Sequence, residues 1–128
     1  MIRRRLEIDK YKNLYCAMYI DISCEREDLV DMIIGVIGGN KGRFGEITTD
    51  ICDINVNYND EFNSKDKDGS FIFYRYFLDV DPMPEASEAE YISCISQIVE
   101  HFVSKGISIV PACDFEDELP YPFRMLGK

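Results

Sequence analysis

Residues 70–80 read SFIFYRYFLDV, and this stretch decides the fold. β-branched and aromatic residues dominate it, and it follows a polar loop closed by Asp68-Gly69, as a β-strand should. Ile72, Tyr74, Tyr76, Leu78 and Val80 share one parity; Phe71, Phe73, Arg75, Phe77 and Asp79 share the other. Both sets are largely apolar, which predicts a central strand covered on both faces.

Upstream, alternation predicts a strand over 14–22, with Cys16, Met18, Ile20 and Ile22 on one face. Ser23 then fits a helix N-cap, with Glu25, Glu27 and Asp28 where the helix dipole favours acids. Leu29, Ile33, Val36 and Ile37 supply the apolar stripe of a first helix, ended by Gly38-Gly39-Asn40. Across 46–58 the apolar positions change parity, from Ile47 and Ile51 to Ile54, Val56 and Tyr58. A strand keeps its faces only while the count of two is unbroken, so a β-bulge is expected near 51–53. Asp50, Asp53, Asn55 and Asn57 mark this segment as an edge strand guarded by polar groups.

Downstream, Asp81-Pro82-Met83-Pro84 stops the central strand. Ser87 and Glu90 match the S-x-x-E capping box that opens a second helix. Ala89, Ile92, Ile95, Val99, Phe102 and Val103 line its expected buried side, and Lys105-Gly106 closes it. A last strand covers 107–113, placed at an edge by Pro111, which has no N–H for a ladder. The order β-α-β-β-α-β predicts an α+β, ferredoxin-like fold: a four-stranded antiparallel sheet in the order 4-1-3-2 with both helices on one face. Residues 1–128 read as one domain, with 1–13 a charged lead-in and 114–128 a loosely packed tail.

The chain carries 24 acidic against 14 basic residues, a net charge of −10. Such a surface repels nucleic acid and attracts basic proteins. Five cysteines, an odd number without C-x-x-C spacing, support neither a disulfide framework nor zinc. No apolar run reaches membrane-spanning length, and none follows Met1-Ile2-Arg3-Arg4-Arg5 as a signal peptide requires, so the cytoplasm is the expected location.

Few residues offer chemistry. Residues 64–69 mimic a calcium loop, but its first position is Ser64 and its twelfth is Arg75 where an acid is needed. Gly35, Gly38, Gly39, Gly42 and Gly45 finish a helix, whereas a phosphate loop opens one. His101 falls with Gln97 and Ser104 on the polar, solvent-facing side of the second helix, away from any nucleophile. The cysteines sit mostly at core positions, and carboxylates beside Cys113 oppose its thiolate. The expectation is therefore a non-enzyme without catalytic residues, metal or cofactor. Asp114, Glu116, Asp117 and Glu118 form one acidic cluster; Asp60, Glu61, Asp66 and Asp68 form a second. With both helices on one face, the other must carry some of Tyr15, Tyr19, Phe71, Phe73, Tyr74, Tyr76 and Phe77. Either Leu119, Tyr121, Phe123, Met125 and Leu126 fold back over it or a protein docks there; stacking of RNA bases is opposed by the charge.

Two stretches, Phe77-Leu78-Asp79-Val80-Asp81-Pro82 and Ala112-Cys113-Asp114-Phe115-Glu116-Asp117-Glu118-Leu119-Pro120, resemble those of bacterial immunity proteins of contact-dependent growth inhibition. The resemblance is one of overall style, with size and acidity agreeing. It implies a cytoplasmic antidote that binds a basic toxin domain, often a nuclease, delivered by neighbouring cells. The two acidic clusters are the contacts that this reading selects. Two other readings stand beside it: a small-molecule-sensing regulatory domain that forms a homodimer through its sheet, and a small enzyme using Cys113 or His101.

Overall fold

The computed structural model describes residues 13–63, 72 and 74–119. Its elements are β1 (Cys16–Asp21), α1 (Arg26–Ile37), β2 (Asn40–Lys41), β3 (Glu46–Thr48), β4 (Cys52–Tyr58), β5 (Tyr76–Pro82), α2 (Glu88–Ser104) and β6 (Ser108–Ala112). Short 3-10 turns follow β4 at Asp60–Asn63 and β6 at Glu116–Glu118. The strands make one antiparallel sheet in the order β2-β3-β4-β5-β1-β6. Among the described residues the architecture is mixed α+β with two helices and six strands, against the four strands expected.

The extra strands come from the segment expected to hold a bulge. Its parity change marks a hairpin: β3 and β4 pair Ile47 with Ile54 and Thr48 with Asp53. In an antiparallel pair, facing residues have numbers of constant sum, here odd, so the two strands bury opposite parities. Thr49 closes the turn by accepting the Ile51 and Cys52 N–H groups on Oγ1, each at 2.9 Å, the local bonding through which threonine favours turns. β4 thus lies inside the sheet, between β3 and β5, and is not the expected edge. β6, with Pro111, does lie at an edge.

β5 begins later than expected. Before Tyr76, the carbonyls of Ile72 and Tyr74 accept from the Asn59 side-chain amide at 2.8 and 2.6 Å, and that of Arg75 from the Asn59 backbone N–H. A side chain takes the place of a ladder partner, and the backbone stays irregular. Phe71, Phe73, Asp66 and Asp68 lie outside the described residues.

One sheet face is buried: Cys16, Met18 and Ile20 from β1, Cys52, Ile54 and Val56 from β4, and Tyr76, Leu78 and Val80 from β5. α1 packs there against β4, α2 against β6, and the helices meet each other. α1 contributes Leu29, Val30 and Ile33; α2 contributes Tyr91, Ile92, Cys94, Ile95, Ile98, Val99 and Phe102. The opposite face is only partly covered, so the expectation of a strand covered on both sides fails: Phe77 and Asp79 are half-buried and Asp81 is exposed.

Ser87 and Glu90 form the reciprocal capping box, each bond at 3.0 Å. Ala89, expected in the stripe, is exposed, and Val103 is half-buried. The first helix starts three residues after Ser23, with Glu25 at the cap and no side-chain cap bond. The Tyr76 hydroxyl donates to the Cys24 carbonyl at 2.5 Å, holding the chain extended past the serine. Gly38 ends α1 with φ of 77°, its N–H reaching the Ile34 carbonyl at 2.7 Å. In the β2–β3 loop, Gly45 (φ 86°) passes so close to β4 that a Cβ would lie 2.4 Å from the Val56 carbonyl oxygen. After β6 the chain turns back into the core: Phe115 is fully buried, edge-on to Tyr91 at 5.8 Å, and Leu119 joins the same cluster. Leu119 therefore does not cover the open sheet face; residues 120–128 lie outside the described residues.

Replacing Phe115 with Ala should lower the unfolding free energy by about 3–5 kcal/mol, since the cavity is fully enclosed. Ser87→Ala should lower it by about 1 kcal/mol through loss of the cap. Urea denaturation followed by circular dichroism measures both.

Candidate functional site

The open sheet face carries polar groups in register. Asp53 of β4 stands directly opposite Asp81 of β5, Asn55 opposite Asp79, and Asn57 opposite Phe77. Across β5 on the other side, Asp79 faces Ala17 and Phe77 faces Tyr19 of β1. Asp79 is the best-held acid: Tyr15 Oη donates to one carboxylate oxygen and Asn57 Nδ2 to the other at 2.9 Å. Asp53 accepts from Thr48 Oγ1 at 3.4 Å. Beside this polar strip, Tyr19 and Phe77 lie 6.0 Å apart, next to the buried Val110 that pairs with Tyr19.

Like charge on facing strands has a visible effect. The Asp81 carboxyl is pushed above its ordinary range by partial burial first, and then by the charges of Asp79 and Asp53. Tyr15 is pushed up too, by burial, by its bond to Asp79 and by the charges of Asp79 and Asp81, so it stays a phenol and a donor. Two residues along one strand separate Asp79 from Asp81 by about 7 Å, a spacing suited to lysine or arginine side chains rather than one ion. Among the described residues no group of three or more His, Cys, Asp or Glu is arranged to hold a metal.

While Asp21, Glu25, Glu27, Asp28 and Asp60 lie at one end of the sheet, many of the acids lie at the other. β5 and β6 leave the sheet there, and β1 and β4 enter it, as the Cys16–Val80, Cys52–Pro82 and Ala17–Ala112 pairs require. Asp50 sits in the β3–β4 turn, and Glu85, Glu88 and Glu90 surround the start of α2. Asp114, Glu116, Asp117 and Glu118 follow β6 at the same end; Asp114, Asp117 and Glu118 are exposed and Glu116 is half-buried. Phe115 and Leu119, buried on either side of them, anchor this acidic turn. Of the described Lys and Arg residues, Arg26 at the start of α1, Arg75 before β5 and Lys105 after α2 lie at the other end, and Lys41 and Arg43 lie in and after β2, where Lys41 pairs with Ile47 of β3. Lys41 is bound to Asp31 at 2.7 Å and Glu27 at 3.6 Å on α1.

The first expected cluster thus joins a larger acidic end, whereas the second does not. Asp60 is exposed beyond the far end of β4, Glu61 follows it in the turn, and Asp66 and Asp68 lie outside the described residues. From the sequence Asp53 reads as an edge guard, and Asp53, Asp79 and Asp81 are not among the expected contacts. The usable signal was the shared face of Asp53, Asn55 and Asn57 and of Phe77, Asp79 and Asp81, which converges only once the β4–β5 register is known. His101 is half-buried, not solvent-facing, and stands edge-on to Phe102 at 5.3 Å.

Comparison with protein families, with curated proteins and with solved structures finds no match. Among the described residues no helix is long and apolar enough to cross a membrane.

The Asp81 shift has a signed consequence. A carboxyl with a raised folded-state pKa binds its proton more tightly when folded, so its contribution to stability falls as pH rises through that pKa. Asp81→Asn should therefore stabilise the protein at pH 7 by roughly 0.2–1 kcal/mol, the scale of a facing like-charge pair, reduced further because Asp81 is exposed. The gain should shrink in acid and in high salt; denaturation midpoints from pH 3 to 8 measure it.

Proposed function

We propose that the protein is a non-enzymatic inhibitor that docks its acidic end onto a basic protein domain. The observation that carries the reading is the facing pair Asp53–Asp81 beside Asp79, at a sheet end where the described cation of the nearby β2, Lys41, is already bound by Asp31 and Glu27 of α1. Carboxylates held together against their mutual repulsion gain when a partner supplies cations, and the same field speeds encounter and sets orientation. Tyr19 and Phe77, half-buried beside the acids, offer an aromatic anchor that docking would bury.

The partner that fits is a basic toxin domain, and the resemblance to immunity proteins of contact-dependent growth inhibition points to one delivered by neighbouring bacteria. A nuclease is the natural target, because its active site binds phosphates and the acids of the sheet imitate them. In the same proposal, β4-β5-β1-β6 is the four-stranded unit of a ferredoxin-like body, and the β2–β3 hairpin extends it beyond β4.

Co-purification with the product of the gene immediately upstream should yield a complex at low salt whose association slows steeply as salt rises. Asp53→Lys with Asp81→Lys should slow association at least tenfold, whereas Glu27→Lys on α1 should not. Absence of a complex at low salt, or a homodimer on sedimentation with no heterologous partner, would remove the reading.

A further inference from the structure

Cys52 opens β4 and Cys94 lies in the second turn of α2, 42 positions apart in sequence, yet their sulfurs stand 3.8 Å apart across the core. Forming a disulfide requires the sulfurs to close from this contact to about 2.05 Å. Their surroundings differ. Cys52 is fully buried, whereas Cys94 retains 7% exposure and borders a groove of about 1110 Å³. That groove runs between Ile37 and Asn40 beyond α1, Thr49 in the β3–β4 turn, and Met83 and Glu90 at the start of α2.

We propose that Cys52 and Cys94 are a dithiol modification site, oxidised to a disulfide by a low-molecular-weight disulfide that reaches Cys94 from this groove. The Cys94 thiolate attacks one sulfur of the small disulfide, breaking its S–S bond. A mixed disulfide forms and the first small thiolate leaves, taking up the proton that Cys94 gave up. Cys52 then attacks the Cys94 sulfur. The protein S–S bond forms, and the second small thiolate leaves with the proton from Cys52. The protein loses two hydrogens and two electrons, and the small disulfide becomes two thiols.

Position assigns Cys52 the resolving part: it is fully enclosed, its sulfur lies 3.8 Å from that of Cys94, and the Thr49 hydroxyl at 3.8 Å supports its thiolate. In the dithiol its pKa is lowered, first by the S–H of Cys94 and against the effect of burial. Cys94 is pushed the other way by its bond to Cys52 and by burial, so access from the groove, not acidity, makes it the point of attack. The bond would pin α2 to the first residue of β4, whose neighbour Asp53 stands in the acidic strip. It closes a chain loop of more than forty residues, which restricts the unfolded ensemble.

The full-length protein equilibrated in mixtures of oxidised and reduced glutathione, then alkylated and digested, tests this. The expected product is two hydrogens lighter, yields a linked Cys52–Cys94 peptide, and melts about 10 °C higher until dithiothreitol restores the dithiol. Cys52→Ala should instead accumulate one glutathione adduct on Cys94, since nothing expels it, while in Cys94→Ala the enclosed Cys52 stays unmodified. Full alkylation of Cys52 and Cys94 in the most oxidising mixture would overturn the proposal. So would a link confined to Cys16 and Cys113, or one formed only after unfolding in urea.

Discussion

The ladder between β4 and β5, seven facing pairs from Cys52–Pro82 to Tyr58–Tyr76, is the constraint from which the rest follows. Side chains on a strand alternate, so this register sends Cys52, Ile54, Val56, Tyr76, Leu78 and Val80 together under the helices. The same register forces Asp53, Asn55, Phe77, Asp79 and Asp81 together on the other face. A slip of one residue would place the aspartates in the core and the isoleucines in water. Burial of about 1.5–3 kcal/mol per large apolar side chain makes that slip prohibitive. The apolar face therefore holds the acids in place, and their mutual repulsion is carried by the core.

A second apolar device extends the acidic end past the sheet. Phe115 and Leu119 plug the chain into the core on either side of Glu116, Asp117 and Glu118, so these acids sit on an anchored turn rather than a free tail. Their neighbours reach inward as well: Cys16, beneath this turn, has its thiol pushed up by its bond to Cys113, then by burial, and also by the charge of Glu116. Attraction from such an end falls off over about 8 Å at physiological ionic strength, so it acts at close approach.

Much of the body was legible in the sequence because its signals are local. Alternation located β1, the capping box located the start of α2, and Pro111 marked an edge. What escaped was non-local. The parity change at 51–53 is the same whether a strand bulges or folds back as a hairpin, and only Thr49 bonding across the turn decides it. The first half of 70–80 has strand composition, yet Asn59 takes its carbonyls. The helix starts at Arg26 rather than directly after Ser23, and the intervening Cys24 carbonyl accepts from a tyrosine hydroxyl of β5. For the site, the run at 114–118 was visible as a run, while Asp53, Asp79 and Asp81 are scattered in sequence and meet only through pairing. The meeting of Cys52 and Cys94 has no sequence signal at all, since their spacing matches no motif.

The rims of the sheet carry a consequence of their own. One is β2, two residues long, set between glycines and with Lys41 tied down to α1 by its ion pairs. The other is β6, five residues long and interrupted by a proline. Short, charged or proline-bearing borders are poor templates for an incoming strand, so lateral polymerisation into fibrils is discouraged even though the interior strands are rich in β-forming residues.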